Sequence, residues 1–220
     1  MKQKTAIHDI IFDFGGVIYD INFMHGAAAF INLGIDDFEN MYSRAINTGI
    51  FDLYEKGAIS SSRFRDALRE ISGLQHTGQQ IDDAWNAILT GFVTERIHLI
   101  EKVKNHYNIH LLSNTSEIHY RKFLKEFQEQ YGYPDFEALF MHVWISFKMG
   151  MRKPSEEIFR FIIKQSKFTP ASTLFIDDNL ENVVAARRVG INSYYLDHKR
   201  NEDILQLFNN EGELLEHVIF

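Results

Sequence analysis

The chain has 220 residues, of which 45% are hydrophobic and 24% are charged, enough for a substantial core in one or two domains. Its formal net charge of −7 argues against nucleic acid as the main partner, although a local lysine and a metal could still accommodate an anionic substrate. The absence of cysteine excludes disulfides, thiol nucleophiles and cysteine-based zinc sites, and it fits a reducing, cytoplasmic location.

The N-terminal segment faintly resembles a signal peptide, because Lys2 and Lys4 precede an apolar run. Asp9, Asp13 and Asp20 interrupt that run, so we reject a secretory signal. No segment of the sequence has the apolar length of a membrane span, so we expect no membrane partner.

The first predicted element is a strand at residues 10–14, within the stretch IIFDFGGVIYD. It is apolar except for Asp13, and a buried carboxylate is costly unless it is paired or bound to metal. Gly15 and Gly16 follow, and glycines permit a close approach of the backbone to a ligand. This stretch is therefore either a ligand site or an ordinary strand end with a turn, and its residues alone do not choose between the two.

Residues 22–95 show no convincing strand. The amphipathic pattern of helices occurs there in FMHGAAAFINLG, FENMYSRAINTG, SRFRDALREISG and IDDAWNAILTGF. Ser60 is a suitable N-cap for the third of these. An insertion after the first strand lies over the carboxyl edge of the sheet, where ligands bind in open α/β proteins. We therefore favour a mobile lid, hinged near residues 19–22 and 92–96, over an ordinary helical subdomain.

The rest of the chain alternates strands and helices. Short apolar runs predict buried strands at residues 109–112, 142–146, 173–176 and 193–196. EEIFRFIIKQS and LENVVAARRVG have the apolar periodicity of helices, and Gly190 is a suitable end for the second. This alternation predicts an α/β fold: a Rossmann-like, doubly wound parallel sheet core of residues 1–21 and 96–220, with an inserted all-helical cap domain of residues 22–95.

Polar side chains follow four of the predicted strands, and in a parallel sheet these positions lie at one edge. They are Asp13 after the first strand, Ser113 and Asn114 after the second, Lys148 and Lys153 after the third, and Asp177 and Asp178 after the fourth. An acid, a hydroxyl, an amine and an acidic pair could therefore converge on one site.

This constellation resembles the haloacid dehalogenase superfamily, whose members are mostly phosphatases. The resemblance covers nearly the whole chain, because the Asp13 motif, Ser113 with its following Asn, GMRKP and IDDNLENV occur in the family's order. Residues 22–95 match the family's helical C1-type cap. FDFGGVIYDINF, YEKGAIS and GMRKPSEEIF also resemble bacterial α-D-glucose-1-phosphate phosphatases and, to a lesser degree, the phosphatase domain of soluble epoxide hydrolases.

The resemblance implies a Mg²⁺-dependent phosphatase of a small phosphorylated metabolite, such as the sugar phosphate glucose 1-phosphate. Asp13 would be the nucleophile that forms an aspartyl-phosphate, and Lys153 would neutralise charge beside it. Lys148 is the rival for that role, and the KP pair at the start of a helix favours Lys153. The Asp13 and Asp178 carboxylates and the Gly15 carbonyl would bind the metal, an oxygen set that suits magnesium.

The resemblance also implies a phosphate cradle. The Ser113 hydroxyl, the Asn114 N–H and the N–H groups after Asp13, including that of Gly16, would bind phosphoryl oxygens. Asp177 would lie behind the metal ligands and hold Lys153 or a metal-bound water. For one further residue, Asn182, two alternatives are open, since its side chain could orient the acidic loop or face solvent.

Other polar residues are weaker candidates. His106 and His110 have a spacing that could suit a metal on a helix, but they straddle a turn and a strand, so we do not expect them to bind one. Glu55 and Lys56 precede Gly57 within the cap. We expect a solvated turn there, with contact to the substrate as the alternative.

One position departs from the family pattern. In many of these phosphatases the residue two places after the nucleophile is a second Asp, which protonates the leaving group, whereas here it is Gly15. Such help is worth roughly 10²–10⁴-fold in rate. Two alternatives to a phosphatase stay open: a dehalogenase in which Asp13 attacks carbon without metal, disfavoured by Asp177 and Asp178, and a non-catalytic phosphometabolite-binding protein, suggested by Gly15. The sequence does not indicate the oligomeric state.

Overall fold

The strands form two sheets in the part of the chain that the computed structural model describes, which comprises residues 6–35, 37–73, 75–216 and 218. The strands are β1 (Asp9–Phe12), β2 (Tyr19–Ile21), β3 (Leu89–Phe92), β4 (Asn108–Ser113), β5 (His142–Ile145), β6 (Thr173–Asp177) and β7 (Asn192–Tyr195). The α-helices are α1 (Phe23–Asn32), α2 (Phe38–Asn47), α3 (Ile50–Glu55), α4 (Ser61–Ser72), α5 (Gly78–Asn86), α6 (Thr94–Val103), α7 (Glu117–Tyr131), α8 (Ser146–Met149), α9 (Glu156–Ser166) and α10 (Leu180–Arg188). Among these described helices, none combines the length and the apolar character that crossing a membrane requires.

The larger sheet has five strands, all parallel, in the order β5–β4–β1–β6–β7. This is the strand order of a doubly wound nucleotide-binding fold, in which the first strand lies near the middle. Successive side chains of β1 enter different cores: Phe12 packs in the cluster that includes α6 and α7, and Ile11 packs in the cluster that includes α9 and α10. The predicted α/β class, with helices on both faces of the sheet, is confirmed.

The five strands predicted from apolar runs are all present, and their ends differ from the prediction by at most two residues. The predicted helices at 156–166 and 180–190 correspond to α9 and α10. The prediction succeeds because strands buried on both faces are continuously apolar, and the polar residues that follow them mark their ends.

The segment between β2 and β3 forms helices α1 to α5, which enclose a hydrophobic core of their own around Phe30, Met41 and Phe64. Ser60 caps α4 as predicted, because its side chain accepts a hydrogen bond from the Arg63 N–H. The short helix α3 was not predicted, since six residues are too few to show an amphipathic period.

The prediction of no strand in residues 22–95 was wrong. The strand β3 lies in that range and pairs antiparallel with β2 to form a separate two-stranded sheet. Its sequence LTGF contains Gly91 and lacks an apolar run, so its conformation depends on pairing with β2 rather than on its own residues. Both chain connections between the core and the helices therefore pass through one hairpin-like ribbon.

The helices of the insert pack against the start of α7, directly after β4. The Tyr54 hydroxyl accepts a hydrogen bond from the Ile118 N–H at 3.2 Å, and the Trp85 indole donates to the Ser116 hydroxyl at 3.2 Å. Ile118 belongs to the hydrophobic core of the insert. These contacts place the insert over the carboxyl edge of the parallel sheet.

Candidate active site

Asp13 lies at the carboxyl end of the central strand. Its backbone N–H donates to the Ile176 carbonyl of β6 at 2.9 Å, and its Oδ1 accepts a hydrogen bond from the Phe14 N–H at 2.7 Å. The strands β1 and β6 are neighbours at the point where the strand order reverses, which is the place where open α/β sheets bind ligands. Asp13 is therefore held in the crevice of the fold, with its side chain fixed by its own turn.

Lys153 is 1% exposed, and its ammonium group bridges two carboxylates. Its Nζ lies 2.7 Å from Asp13 Oδ1 and 2.7 Å from Asp177 Oδ2, and it donates to the Leu112 carbonyl at 2.8 Å. These contacts use all three donors of the ammonium group. Burial by itself lowers the pKa of Lys153, but Asp13 and Asp177 outweigh burial and hold that pKa above its usual value. The other candidate, Lys148, pairs instead with Glu137 at 2.8 Å.

Asp177 is fully buried and its carboxylate is surrounded by donors. Its Oδ1 accepts from the Asn179 N–H at 2.7 Å, and the Asn182 side-chain amide lies 3.0 Å from both of its oxygens. Oδ2 also accepts a hydrogen bond from Lys153 Nζ, so both oxygens of the Asp177 carboxylate have partners and the carboxylate holds the lysine in place. Asn182 is itself buried, so it orients the acidic loop and does not face solvent.

Asp178 is the less constrained member of the acidic pair. Its side chain is 22% exposed, with one oxygen 3.6 Å from His198 Nε2. Asp13, Asp177 and Asp178 each place a carboxylate oxygen within 4.8 Å of the others. Burial, and then the charge of Asp177, raise the pKa values of Asp13 and Asp178. A hard divalent cation would relieve this repulsion, and since Asp177 is occupied, Asp13 and Asp178 are the carboxylates that fit Mg²⁺.

The two glycines after Asp13 have different roles. Gly16 has φ of 77°, and a Cβ on it would lie 2.2 Å from Asp178 Oδ2, so glycine leaves room for that carboxylate. We expected the Gly16 N–H to bind phosphate, but it donates to the Tyr19 carbonyl at 2.8 Å, which corrects that expectation. Gly15 lines the cavity described below, and the nearest side chain to a Cβ there would be Ile21 at 3.6 Å.

Ser113 and Asn114 stand at the end of β4, next to Asp13. Ser113 is buried, and both residues line the cavity. The Asn114 side chain exchanges two hydrogen bonds with the backbone of Lys153, since the Lys153 N–H donates to Oδ1 and Nδ2 donates to the Lys153 carbonyl, each at 2.9 Å. We expected only the backbone N–H of Asn114 to matter. Its side chain also fixes the loop that carries Lys153.

A cavity of about 370 Å³ extends from Gly15, Ser113 and Asn114 into the helical insert. Glu55 lines it with its side chain 25% exposed, so the expected solvated turn is wrong for this residue. Arg152, which the sequence reasoning missed, also lines the cavity, with Nη2 3.1 Å from Glu55 Oε2. The sequence could have indicated Arg152, because this residue directly precedes Lys153 in the GMRKP motif.

The remaining candidates lie elsewhere. Lys56 forms an ion pair with Asp52 at 2.8 Å and does not line the cavity. His110 is buried beside Asp9 at 3.3 Å, and His106 contacts the Glu211 backbone, so neither histidine joins the acidic cluster.

Comparison with known proteins identifies the family. Residues 10–190 match the model of the haloacid dehalogenase-like hydrolases. The chain belongs to this family of hydrolases. The resemblance inferred from the four motifs is thereby confirmed, and with it the class of enzyme.

Several members of the family are similar to this haloacid dehalogenase-like hydrolase over most of its length. D-ribitol-5-phosphate phosphatase of Bacteroides thetaiotaomicron is 32% identical over 193 residues, which cover 86% of this chain and 91% of that protein. A family enzyme of the same species, crystallised with magnesium and inorganic phosphate, superposes with a TM-score of 0.81 at 31% identity, covering 93% of this chain and 100% of that one. A family hydrolase of Porphyromonas gingivalis superposes with a TM-score of 0.78 at 32% identity, covering 87% and 91%.

Proposed function

We propose that this hydrolase is a Mg²⁺-dependent phosphatase of a small sugar or polyol phosphate. The observation that carries the proposal is the buried Asp13, paired with Lys153 at 2.7 Å and close to the carboxylate of Asp178. The similarity to a D-ribitol-5-phosphate phosphatase and to an enzyme crystallised with magnesium and phosphate supports it. Ribitol 5-phosphate and glucose 1-phosphate, the substrate suggested by the sequence, are both phosphate monoesters of polyhydroxylated carbon chains.

In the proposed reaction an Asp13 carboxylate oxygen attacks phosphorus, and the bond from phosphorus to the alcohol oxygen breaks. The departing alkoxide takes a proton from water, since Gly15 supplies no acid, and a second water then attacks phosphorus to release inorganic phosphate and regenerate Asp13. The contacts of Oδ1 with Phe14 and Lys153 fix the rotation of the carboxylate, which favours a productive orientation. Lys153 reduces the repulsion between this carboxylate and the phosphate, and Ser113 and the Asn114 N–H bind phosphoryl oxygens.

Mg²⁺ would be held by Asp13, Asp178 and the Gly15 carbonyl, and when bound it neutralises phosphoryl charge. We further propose that residues 22–95 act as a cap domain that selects the substrate and excludes water. Exchange of this segment with that of a relative should transfer the substrate preference. An unchanged preference in a folded chimera would refute the role of the cap. The cytoplasmic location stays a prediction.

A panel assay tests the phosphatase proposal. Phosphate release would be measured from ribitol 5-phosphate, glucose 1-phosphate and 4-nitrophenyl phosphate, with Mg²⁺ and after chelation. We expect turnover only with the metal, and Asp178→Asn should raise the Mg²⁺ requirement by at least about tenfold, the scale seen even for outer-shell partners of metals. Absence of turnover with every monoester would favour a binding protein. Release of halide from a haloacid after chelation would favour a dehalogenase.

A further inference from the structure

We propose that the enzyme also hydrolyses phosphate monoesters of long apolar alcohols, whose hydrocarbon chain lies in a second cavity within the helical insert. The products are the alcohol and inorganic phosphate, formed by the reaction described above. This inference rests on the proposed phosphatase function and adds a second class of substrate to the sugar and polyol phosphates.

The second cavity adjoins the cavity at the active site and is larger. Its volume is about 670 Å³, compared with about 370 Å³ for the cavity that Gly15 and Ser113 line. The two cavities share the side chains of Phe23, Tyr42, Phe51, Trp85 and Ile88. Phe23 and Tyr42 are 65% and 38% exposed, so the shared boundary reaches the surface of the insert. A flexible chain attached to a phosphate at the sheet edge can follow this boundary into the second cavity.

The wall of the second cavity is mostly apolar. Phe30, Met41 and Leu68 line it with buried side chains, and Met24 and Ile31 line it with exposed ones. The volume lies within the range of about 300–1,000 Å³ that is usual for small-molecule sites. A polyol would find few hydrogen-bond partners on this wall, whereas a hydrocarbon chain would remove apolar surface from water. The cavity therefore suits the apolar part of a ligand.

Exposed apolar side chains are concentrated around the two cavities. Phe23, Met24, Ile31, Tyr42 and Ile46 are all exposed, and each of them lines at least one of the cavities. Groups of exposed apolar side chains mark sites that bind a ligand, another protein or a membrane. The active-site cavity opens among these side chains, which favours a ligand that is bound at both places at once.

The charged residues at the second cavity favour a substrate chain over the other occupants. Asp37 and Glu39 line the cavity and are exposed, and no lysine or arginine is among the described residues that line it. Anionic membrane surfaces attract basic segments, so these carboxylates and the net charge of −7 disfavour a membrane. A symmetric contact with a second copy would bring the same carboxylates of both copies to one interface. The uncharged end of a hydrocarbon chain meets no such repulsion.

A series of alkyl phosphates tests the second cavity. Butyl, hexyl, octyl and decyl phosphate release primary alkoxides of nearly equal basicity, so the missing acid at Gly15 affects all four equally. The values of kcat/KM would be measured with Mg²⁺ below the critical micelle concentrations. The readout is the ratio of kcat/KM for decyl phosphate to that for butyl phosphate.

Two variants change the second cavity in different ways, and each has a matched control. Ala27→Phe fills it from a half-buried position, and its control is Ala28→Phe, since Ala28 is exposed on the same helix and lines neither cavity. Ile31→Asn makes the wall more polar, and its control is Leu53→Asn. Ile31 and Leu53 are 46% and 40% exposed on helices of the insert, but Leu53 lines neither cavity. Thermal melting checks the folding of all four variants.

We expect the wild-type ratio to be at least about thirtyfold, the value for burial of three of the six additional methylenes at roughly threefold each. Ala27→Phe and Ile31→Asn should each lower the ratio by at least about fivefold, whereas the two controls should change it by less than about twofold. A wild-type ratio near one would refute the inference. A ratio that both folded cavity variants leave unchanged would also refute it, because the chain would then lie elsewhere.

The remaining outcomes separate this inference from other occupants and from the phosphatase proposal. If gel filtration shows a dimer that both cavity variants dissociate without changing the ratio, a second copy covers the cavity and the inference is refuted. If the wild type hydrolyses ribitol 5-phosphate or 4-nitrophenyl phosphate but shows no increase along the alkyl series, the phosphatase proposal stands and the second class of substrate is refuted. If it hydrolyses no monoester, both are refuted.

Discussion

The charged groups on the two sides of the cavity differ in how completely they are paired. At the sheet edge, Lys153 contacts Asp13, Asp177 and a backbone carbonyl, and Asp177 is further bound by Asn182. On the side of the insert, Glu55 and Arg152 form an ion pair at 3.1 Å, but Glu55 Oε2 and Arg152 Nε make no hydrogen bond with the residues that the structure describes. The charged groups at the sheet edge are therefore each held by several partners, whereas the ion pair on the side of the insert is less completely hydrogen-bonded.

The difference follows from the elements that carry each group. Asp13 and Asp177 stand on adjacent strands whose register is set by backbone hydrogen bonds. Glu55 stands on a six-residue helix whose position depends on the docking of the whole insert. The insert is connected through β2 and β3, and Arg96 ties Asp20 of that ribbon to the core at 2.6 Å. Hinge motion near this ribbon stays a prediction.

The largest effect should come from removing Asp13, the proposed nucleophile at the sheet edge. Asp13→Asn should lower turnover by at least about three orders of magnitude, because loss of a covalent nucleophile removes the reaction path. The similar shape of the side chains should preserve the fold, although the loss of a charge that neutralises Lys153 should lower the free energy of unfolding. Phosphate release and circular dichroism measure the two effects, with mass spectrometry to exclude deamidation. Substantial activity in the intact variant would contradict the covalent mechanism.

The missing acid at Gly15 predicts the next largest effect. Without a side chain there, rates should depend steeply on the acidity of the leaving alcohol, over the roughly 10²–10⁴-fold range that general acid catalysis would otherwise supply. A sugar 1-phosphate should react faster than the corresponding 6-phosphate, since an anomeric oxygen leaves more readily. Single-turnover rates for a series of esters measure this. A flat dependence would show that another group, such as Glu55, protonates the leaving group.

The free energy of unfolding should depend more on the buried cluster around Lys153 than on an ion pair of the insert. Asp177→Asn removes one of the two charges that neutralise the buried Lys153, so the free energy of unfolding should fall by about 3–5 kcal/mol. Asp82→Asn, which breaks a more exposed pair with Arg65 on the insert, should cost no more than about 1 kcal/mol. Urea unfolding with Mg²⁺ absent compares the two. Equal losses would contradict the contrast between the regions.

The smallest effect concerns the boundary between insert and core, where His119 stacks on Trp85 with ring centroids 4.9 Å apart. Its Nε2 donates to the Trp85 carbonyl at 2.9 Å, and burial lowers its pKa to about 4. In the unfolded chain a histidine has a pKa of about 6.5, so its imidazole takes up a second proton more readily than it does in the folded protein. The stabilisation is therefore complete above about pH 6.5 and is lost as the pH falls towards 4, at up to about 1.4 kcal/mol per pH unit.

His119→Gln should make that pH dependence shallower. The measurement is urea unfolding at several pH values between about 4.5 and 7. His110 has a similarly lowered pKa of about 4 because of burial, and it remains in the variant, so part of the dependence should persist. If the free energy of unfolding depended on pH just as steeply in His119→Gln as in the wild type, the pKa of His119 would not be lowered in the folded protein.

The sequence by itself determined the sheet and the residues at its edge. Apolar runs predict all five strands of the sheet, and the polar residues that end them include Asp13, Ser113 and Asp177, since burial on both faces leaves little choice of residue within each strand. The order of the motifs also sufficed for the family. Each of these features depends on residues that are close together in the sequence, so local sequence patterns predict it.

The tertiary structure alone decided which distant groups meet. The Asn114 side chain binds the backbone of Lys153, and Glu55 of the insert meets Arg152 of the core. The strand β3 likewise exists through pairing with β2. Each of these contacts joins residues far apart in the chain, and its geometry depends on strand register and on the docking of one hydrophobic core against another. Neither is expressed in the pattern of adjacent residues, which is why the cavity's polar pair could not be predicted.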